Sequence, residues 1–150
     1  MRVHLGDYLS LNRILFSGAP TKDEVMTELI KISREDGRVE NSEKFKNALL
    51  KRESIMSTGI GYGVAIPHVK LRMIEEFFVT IFIHKKGVHW ESIDNKPVHF
   101  IMLIAGPENQ QEKYLRILAK LMLVMKKPEN RMRLLQCNTK YDVFNIFNIE

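Results

Sequence analysis

Two apolar segments in the middle of the chain, FFVTIFI at 77–83 and VHFIMLI at 98–104, constrain the fold most strongly. Both are rich in β-branched and aromatic residues, and both are apolar at nearly every position. A strand with two apolar faces must be covered on both sides, which is typical of sheets that lie between layers of helices. The two segments are therefore predicted to be central strands.

Two weaker strand signals accompany them. Val64–Ile66 predicts a short strand that ends at Pro67, because proline has no amide hydrogen to give to a sheet ladder. His68 is therefore expected at the carboxyl end of this strand. The segment KKGVHW at 85–90 contains Gly87 and an alternating pattern, which predicts a small edge strand or hairpin.

Five helices are predicted from residues that start helices, followed by apolar residues at helical spacing. The first helix is expected to end at Gly37, and the second to run from about Ser42 to Arg52. The starting residues are Thr21 with Glu24, Asn41, Asn109 with Glu112, Pro128, and Thr139 with Asp142. Strands interleaved with these helices predict an α/β fold: one layered domain over 1–150, with a mixed, mostly parallel central β-sheet flanked by α-helices on both faces.

The composition is that of a soluble globular protein. The chain has 150 residues, of which 45% are hydrophobic and 27% charged, and it contains no apolar run long enough to span a membrane. Its amino terminus, MRVHLGDYLS, lacks the continuous apolar stretch of a signal peptide, so a cytoplasmic location is expected. The formal charge of +5 comes from Lys and Arg spread along the chain, which predicts a basic surface rather than a nucleic-acid site.

The stretch STGIGYG, at 57–63, has the composition of an anion-binding loop. Gly59, Gly61 and Gly63 allow positive φ angles, which can bring successive amide groups to one point where they bind a phosphoryl oxygen. Ser57 and Thr58 can add hydroxyl donors. A tight connection that needs glycine is an equally good interpretation of this pattern alone.

His68 follows this loop and favours the first interpretation. A neutral imidazole can attack phosphorus and hold the phosphoryl group on nitrogen. Arg52, upstream of the loop, can supply a permanent cation for the charge of the transferring group. The residues therefore predict phosphoryl transfer, with His68 as the nucleophile and Ser57, Thr58 and the glycine amides as phosphoryl-binding groups.

The sequence RES at Arg52, followed by STGIGYGVAIPH, resembles the signature of a bacterial protein family. This is the enzyme IIA (EIIA) family of the fructose, mannitol and nitrogen-regulatory type, the type-2 EIIA domain of the phosphoenolpyruvate-dependent phosphotransferase system. The segment GVHWESIDNKPVHFIMLIAGPEN, at 87–109, is also similar to the family pattern, and the helices fall where the family has them. The resemblance thus covers nearly the whole chain, and it implies the same fold.

The resemblance implies that His68 is phosphorylated by an HPr or NPr-type phosphocarrier. In sugar-transporting members the phosphoryl group then passes to an EIIB protein, whereas other members act on regulatory target proteins. The lack of a fused EIIB or membrane domain favours the stand-alone nitrogen-regulatory type, with a fructose- or mannitol-specific EIIA as the alternative. Many members have a second histidine where this chain has Tyr114, so a degenerate regulatory module with weak transfer is a further alternative.

The other histidines and the cysteine are not expected to form a site. His99 lies in an apolar strand and is expected to be a satisfied core histidine, whereas His84 and His89 are expected to be exposed loop residues. No pair among them has the spacing of a zinc site, so neither a metal nor another cofactor is predicted. The lone Cys137 excludes an internal disulfide and is expected to be a bystander in a loop.

Overall fold

The central pair of strands predicted from the sequence is present in the computed structural model, which describes residues 2–148. β5 (Phe78–Val88) and β6 (Val98–Gly106) pair antiparallel in the middle of a six-stranded sheet. The other strands are β1 (Ile14–Phe16), β2 (Gly59–Gly61), β3 (Val64–Ala65) and β4 (His68–Lys70). β1 lies parallel to β5, β3 and β4 lie parallel to β6, and β2 closes the sheet antiparallel to β3.

Within the described residues, five α-helices cover the two faces of this sheet. They are α1 (Lys22–Glu35), α2 (Ser42–Ile55), α3 (Gln111–Met125), α4 (Pro128–Gln136) and α5 (Lys140–Phe147). The side chains of Thr21, Asn41 and Thr139 accept the predicted capping hydrogen bonds. The predicted cap of the long helix is wrong, because α3 begins after Gln110 and has no side-chain capping bond.

Alternating residues of β5 and β6 enter two separate cores. On one face, Val79, Ile81 and Met102 pack with side chains from α3, α4 and α5. On the other face, Phe78 and Phe82 pack with side chains from α1 and α2. This alternation is the reason that both strands are apolar at nearly every position, and it confirms the predicted α/β fold with helices on both faces.

The small edge strand or hairpin predicted at 85–90 is not a separate element, because β5 continues through this segment to Val88, which pairs with Val98. The register shifts between Ile83 and Val88, where Gly87 has a φ of 88° and donates its amide hydrogen to Nδ1 of His84. A bulge of this kind lets a strand bend without ending. His84 is buried within it, contrary to the expectation of an exposed loop residue.

The strand before Pro67, β3, ends at Ala65, and a further strand, β4, begins at His68. Val64 pairs with Phe100 and His68 pairs with Ile104, so β3 and β4 continue in one register along β6. Pro67 lacks an amide hydrogen, but its carbonyl oxygen still accepts a hydrogen bond from the amide of Ile104. His68 is therefore the first residue of a resumed strand rather than the end of one.

Replacing Gly106 by alanine tests the packing at the end of β6. A Cβ atom at this position would overlap the ring of Phe77, which is buried in the core. Forcing extra volume into a packed core costs about 1–3 kcal/mol. We expect Gly106→Ala to lower the free energy of unfolding in urea by this amount, and Gly18→Ala, which has no atom within 4 Å of the added group, to change it little. Equal unfolding midpoints for the two variants would contradict this packing.

Candidate functional site

The half-buried ring of His68 has a defined tautomer. Its Nδ1 lies 3.1 Å from the carbonyl oxygen of Ile66, which can only accept a hydrogen bond. Nδ1 therefore carries the hydrogen. Nε2 has the lone pair, and it accepts a hydrogen bond of 3.2 Å from Nε of Arg52.

Arg52 is held in the last turn of α2. This helix extends to Ile55, one turn beyond the predicted end, so the backbone of Arg52 is part of a regular helix. The Nη1 atom of Arg52 donates to the carbonyl oxygen of Met56 at 2.7 Å. The guanidinium is thus fixed beside Nε2 of His68, which brings together two residues that the sequence places 16 positions apart.

The surroundings of His68 favour its neutral form. Burial lowers the pKa of the ring below the ordinary 6.5, and the positive charges of Arg52 and Lys70 lower it further. The hydrogen bond to Ile66 and the charge of Glu53 act in the opposite direction. The neutral ring, with its lone pair on Nε2, is therefore present at neutral pH and is lost only as the pH falls through this lowered pKa.

Tyr114 lies beside His68, at the position where the family resemblance implies a second histidine. Its ring centre is 5.5 Å from that of His68, and burial raises the pKa of its hydroxyl group. The ammonium group of Lys70 lies 4.7 Å from the Tyr114 ring centre and contacts the side chain of Gln111. Sequence reasoning missed Lys70, although residues two apart on a strand share one face, and Lys70 follows His68 at that spacing.

The hydroxyl groups of Ser57 and Thr58 have partners away from His68. The Oγ of Ser57 donates to the carbonyl oxygen of Trp90 at 2.8 Å. The Oγ1 of Thr58 donates to Glu53 at 2.6 Å, and Thr58 is 3% exposed. The structure therefore gives these two side chains a part in the packing of the loop, and neither hydroxyl is directed to the ring of His68.

The amides of Gly59 and Gly61 donate hydrogen bonds within the protein. The amide of Gly59 donates to Oγ of Ser57, and that of Gly61 donates to Oγ of Ser92. Gly61, Tyr62 and Gly63 all have positive φ angles in the turn that joins β2 to β3. The tight connection considered as the alternative is thus the arrangement in the structure. Gly61 and Gly63 line an open groove of about 730 Å³ that does not include His68.

A buried carboxylate, Glu53, connects the elements around this loop. Its Oε2 accepts hydrogen bonds from Nζ of Lys22 at 2.6 Å and from the amide of Thr58 at 2.9 Å, and its Oε1 accepts from the Thr58 hydroxyl. The Nε1 of Trp90 donates to the same hydroxyl oxygen at 3.3 Å, and the ammonium of Lys22 lies 5.1 Å from the Trp90 ring centre.

The other candidate groups lie apart from His68. His99 is half-buried, and its Nδ1 lies 3.0 Å from the carbonyl oxygen of His84, as expected for a satisfied histidine. Burial raises the pKa of the Cys137 thiol. Within residues 2–148, no three His, Cys, Asp or Glu side chains are grouped to hold a metal ion, and no helix is long and apolar enough to cross a membrane.

Comparisons with known proteins place the chain in a family. The model of the family described as "Phosphoenolpyruvate-dependent sugar phosphotransferase system, EIIA 2" matches residues 7–149. The fructose-specific EIIABC component of Bacillus subtilis is 32% identical over 127 residues, which are 85% of this chain but only 20% of that protein. The fructose-specific EIIA component of Haloferax volcanii is 29% identical over 126 residues, 84% of this chain and 82% of that protein.

Nitrogen regulatory proteins are also similar to this chain. The one from Bradyrhizobium diazoefficiens is 35% identical over 82 residues, which are 55% of this chain and 54% of that protein. The crystal structure of nitrogen regulatory protein IIA-Ntr from Neisseria meningitidis matches with a TM-score of 0.88 and 27% identity, covering 95% of this chain and 97% of the other. IIA mannitol from Escherichia coli shares the fold, with a TM-score of 0.79, 20% identity and coverage of 93% and 98%.

Replacing Arg52 by glutamine is expected to raise the pKa of His68. The guanidinium charge is one of the causes that lower this pKa, whereas burial, the larger cause, remains in the variant. The wild-type ring is therefore expected to titrate below 6.5, and the ring in Arg52→Gln closer to 6.5. NMR titration of the His68 ring resonances measures both values, with the exposed Arg133→Gln as the control. An unchanged or lower pKa in Arg52→Gln would contradict the assigned contact.

Proposed function

Because this chain belongs to the EIIA 2 family of the phosphoenolpyruvate-dependent sugar phosphotransferase system, it is a phosphoryl carrier, and we propose that His68 carries the phosphoryl group. One observation supports this role above the others. The hydrogen bond to Ile66 occupies Nδ1 and leaves the lone pair on Nε2, next to a fixed guanidinium. A nucleophile beside a permanent cation is the arrangement that phosphoryl transfer requires.

The proposed donor is the phosphohistidine of an HPr or NPr-type phosphocarrier. The hydrogen bond from Nε of Arg52 to Nε2 of His68 breaks, and the released lone pair forms a bond to phosphorus. The phosphorus–nitrogen bond of the donor breaks at the same time, and its electron pair returns to the donor ring. The His68 ring keeps the hydrogen on Nδ1, and Ile66 accepts it throughout the step. The positive charge that develops on the ring is thereby stabilised by a carbonyl dipole.

Two cations are proposed to bind the oxygens of the transferred group. Arg52 already donates to Nε2, so a phosphoryl group on that nitrogen would meet the same guanidinium. The positive charge of Lys70 lowers the pKa of His68, and its ammonium group lies against the ring of Tyr114. Tyr114 supplies a packing surface for both His68 and Lys70 rather than a second ring that can become a cation.

We propose the nitrogen-regulatory type as the class of this carrier. The 35% identity to the Bradyrhizobium protein and the TM-score of 0.88 to IIA-Ntr from Neisseria meningitidis support it. A fructose-specific EIIA is the second candidate, favoured by the matches to the Bacillus and Haloferax proteins, and it would pass the phosphoryl group to an EIIB protein. A regulatory module with weak transfer is a third candidate, favoured by Tyr114.

Phosphorylation of His68 can be tested directly. We expect the full chain, incubated with phosphoenolpyruvate, enzyme I and HPr or an NPr-type carrier, to gain the mass of one phosphoryl group. His68→Gln is expected to abolish this gain, because it removes the proposed nucleophile, whose Nε2 lies beside the Arg52 guanidinium. His99→Gln is the matched control and should be phosphorylated normally. Failure of the wild type to gain mass with either carrier would contradict the proposal.

Transfer to an EIIB protein separates the first two candidates. We expect the phosphorylated chain to lose its phosphoryl group slowly to a purified fructose-type EIIB, as the regulatory assignment requires. The remaining phosphorylated fraction, followed by mass spectrometry over time, gives the rate. Comparison with a fructose-specific EIIA on the same EIIB calibrates the measurement. Loss at the rate of that reference protein would overturn the regulatory assignment in favour of sugar transfer.

A further inference from the structure

We propose that Glu53 is a positioning residue for phosphoryl transfer, which holds the groups on both sides of the His68 ring. This proposal rests on the proposed function of His68. Glu53 does not touch the ring in the network of hydrogen bonds. It acts through Thr58 and Ile66 on one nitrogen of His68, and through the last turn of α2 on the other.

The first connection runs through the loop. Both oxygens of Glu53 accept hydrogen bonds from Thr58, one from its amide and one from its hydroxyl. The carbonyl oxygen of Thr58 accepts a hydrogen bond of 3.0 Å from the amide of Ile66. The carbonyl oxygen of Ile66 faces Nδ1 of His68 at 3.1 Å. The position of the Ile66 carbonyl, which sets the tautomer of the His68 ring, is thus linked to Glu53 through the backbone of Thr58 and Ile66.

The second connection runs along the helix. Glu53 follows Arg52 in the last turn of α2, so the bonds that anchor Glu53 also anchor the backbone of Arg52. Lys22, the first residue of α1, binds Glu53 from the other side, and their side chains are 22% and 8% exposed. The two helices are therefore joined at Glu53, the residue next to Arg52 in the chain.

The charge of Glu53 is unfavourably placed for stability alone. A carboxylate in the last turn of a helix is repelled by the negative end of the helix dipole. A buried carboxylate also needs several partners to offset its loss of hydration. Glu53 has three donors: two belong to Thr58, which is connected to Ile66, and the third is the ammonium group of Lys22. We attribute the buried charge at this position to the role of Glu53 in positioning Arg52 and Ile66.

The ring tautomer of His68 is the readout that a merely structural role would not change. In the 15N-labelled full chain at about pH 8, where a free histidine is neutral, multiple-bond 1H–15N correlations identify the nitrogen that carries the hydrogen. We expect wild type to have it on Nδ1. Glu53→Gln and Thr58→Val are expected to increase the population with hydrogen on Nε2. Thr58→Ser keeps the hydroxyl donor and should therefore have the wild-type spectrum.

Kinetics of phosphoryl acceptance from HPr or an NPr-type carrier provide the second readout. A misplaced nucleophile costs about 10- to 100-fold in rate. We expect Glu53→Gln and Thr58→Val to lower the maximal rate by this factor and to leave the half-saturating donor concentration nearly unchanged, because the side chain of Glu53 is only 8% exposed. Glu112→Gln, which removes an exposed carboxylate from α3, is the matched control and should behave as wild type.

Each outcome decides the proposal. A wild-type ring with its hydrogen on Nε2 overturns it without any variant, as does a folded Glu53→Gln with an unchanged tautomer and an unchanged rate. If Glu53→Gln does not fold, the comparison of Thr58→Val with Thr58→Ser decides, and equal tautomers and rates in these two overturn it. Failure of the proposed function is distinguishable, because wild type would then have the expected tautomer but gain no phosphoryl mass.

Discussion

The hydrogen bond between Nδ1 of His68 and the carbonyl oxygen of Ile66 is the interaction on which the proposed site depends. Because a carbonyl can only accept, this bond assigns the hydrogen to Nδ1 and the lone pair to Nε2. The reactive nitrogen, the contact with Arg52 and the direction from which a donor must approach all follow from that assignment. A ring with the opposite tautomer would offer a hydrogen, not a lone pair, to the guanidinium.

The sheet provides the rigidity that this bond needs. β3 and β4 keep one register along β6 on either side of Pro67, so Ile66 and His68 are fixed relative to each other by the ladder. The missing amide hydrogen at Pro67 interrupts the ladder without displacing it. α2 then brings Arg52 from one side, while α3 brings Tyr114 from the other, and together they bury the ring enough to lower its pKa. The site thus combines one strand with one helix from each layer.

Much of the fold follows from local patterns, and the remainder depends on contacts between distant residues. Apolar segments with no polar face predict central strands, and the caps at Thr21, Asn41 and Thr139 are read from adjacent residues. The continuation of β5 through Gly87 is not predicted by such local patterns. It depends on the buried His84, whose Nδ1 accepts a hydrogen bond from the amide of Gly87. The family resemblance identified the EIIA family, but glycine spacing alone did not distinguish an anion cradle from a tight turn. The partners that decide this, Ser57 and Ser92, are known only from the structure.

The position of the phosphoryl group on the His68 ring tests the central claim most directly. After phosphorylation of the 15N-labelled chain, the one-bond coupling between phosphorus and nitrogen, together with the ring correlations of His68, identifies the bonded nitrogen. A bond to Nε2, with the hydrogen retained on Nδ1, is the result that the hydrogen bond to Ile66 predicts. A phosphoryl group on Nδ1, or on any residue other than His68, would contradict the account.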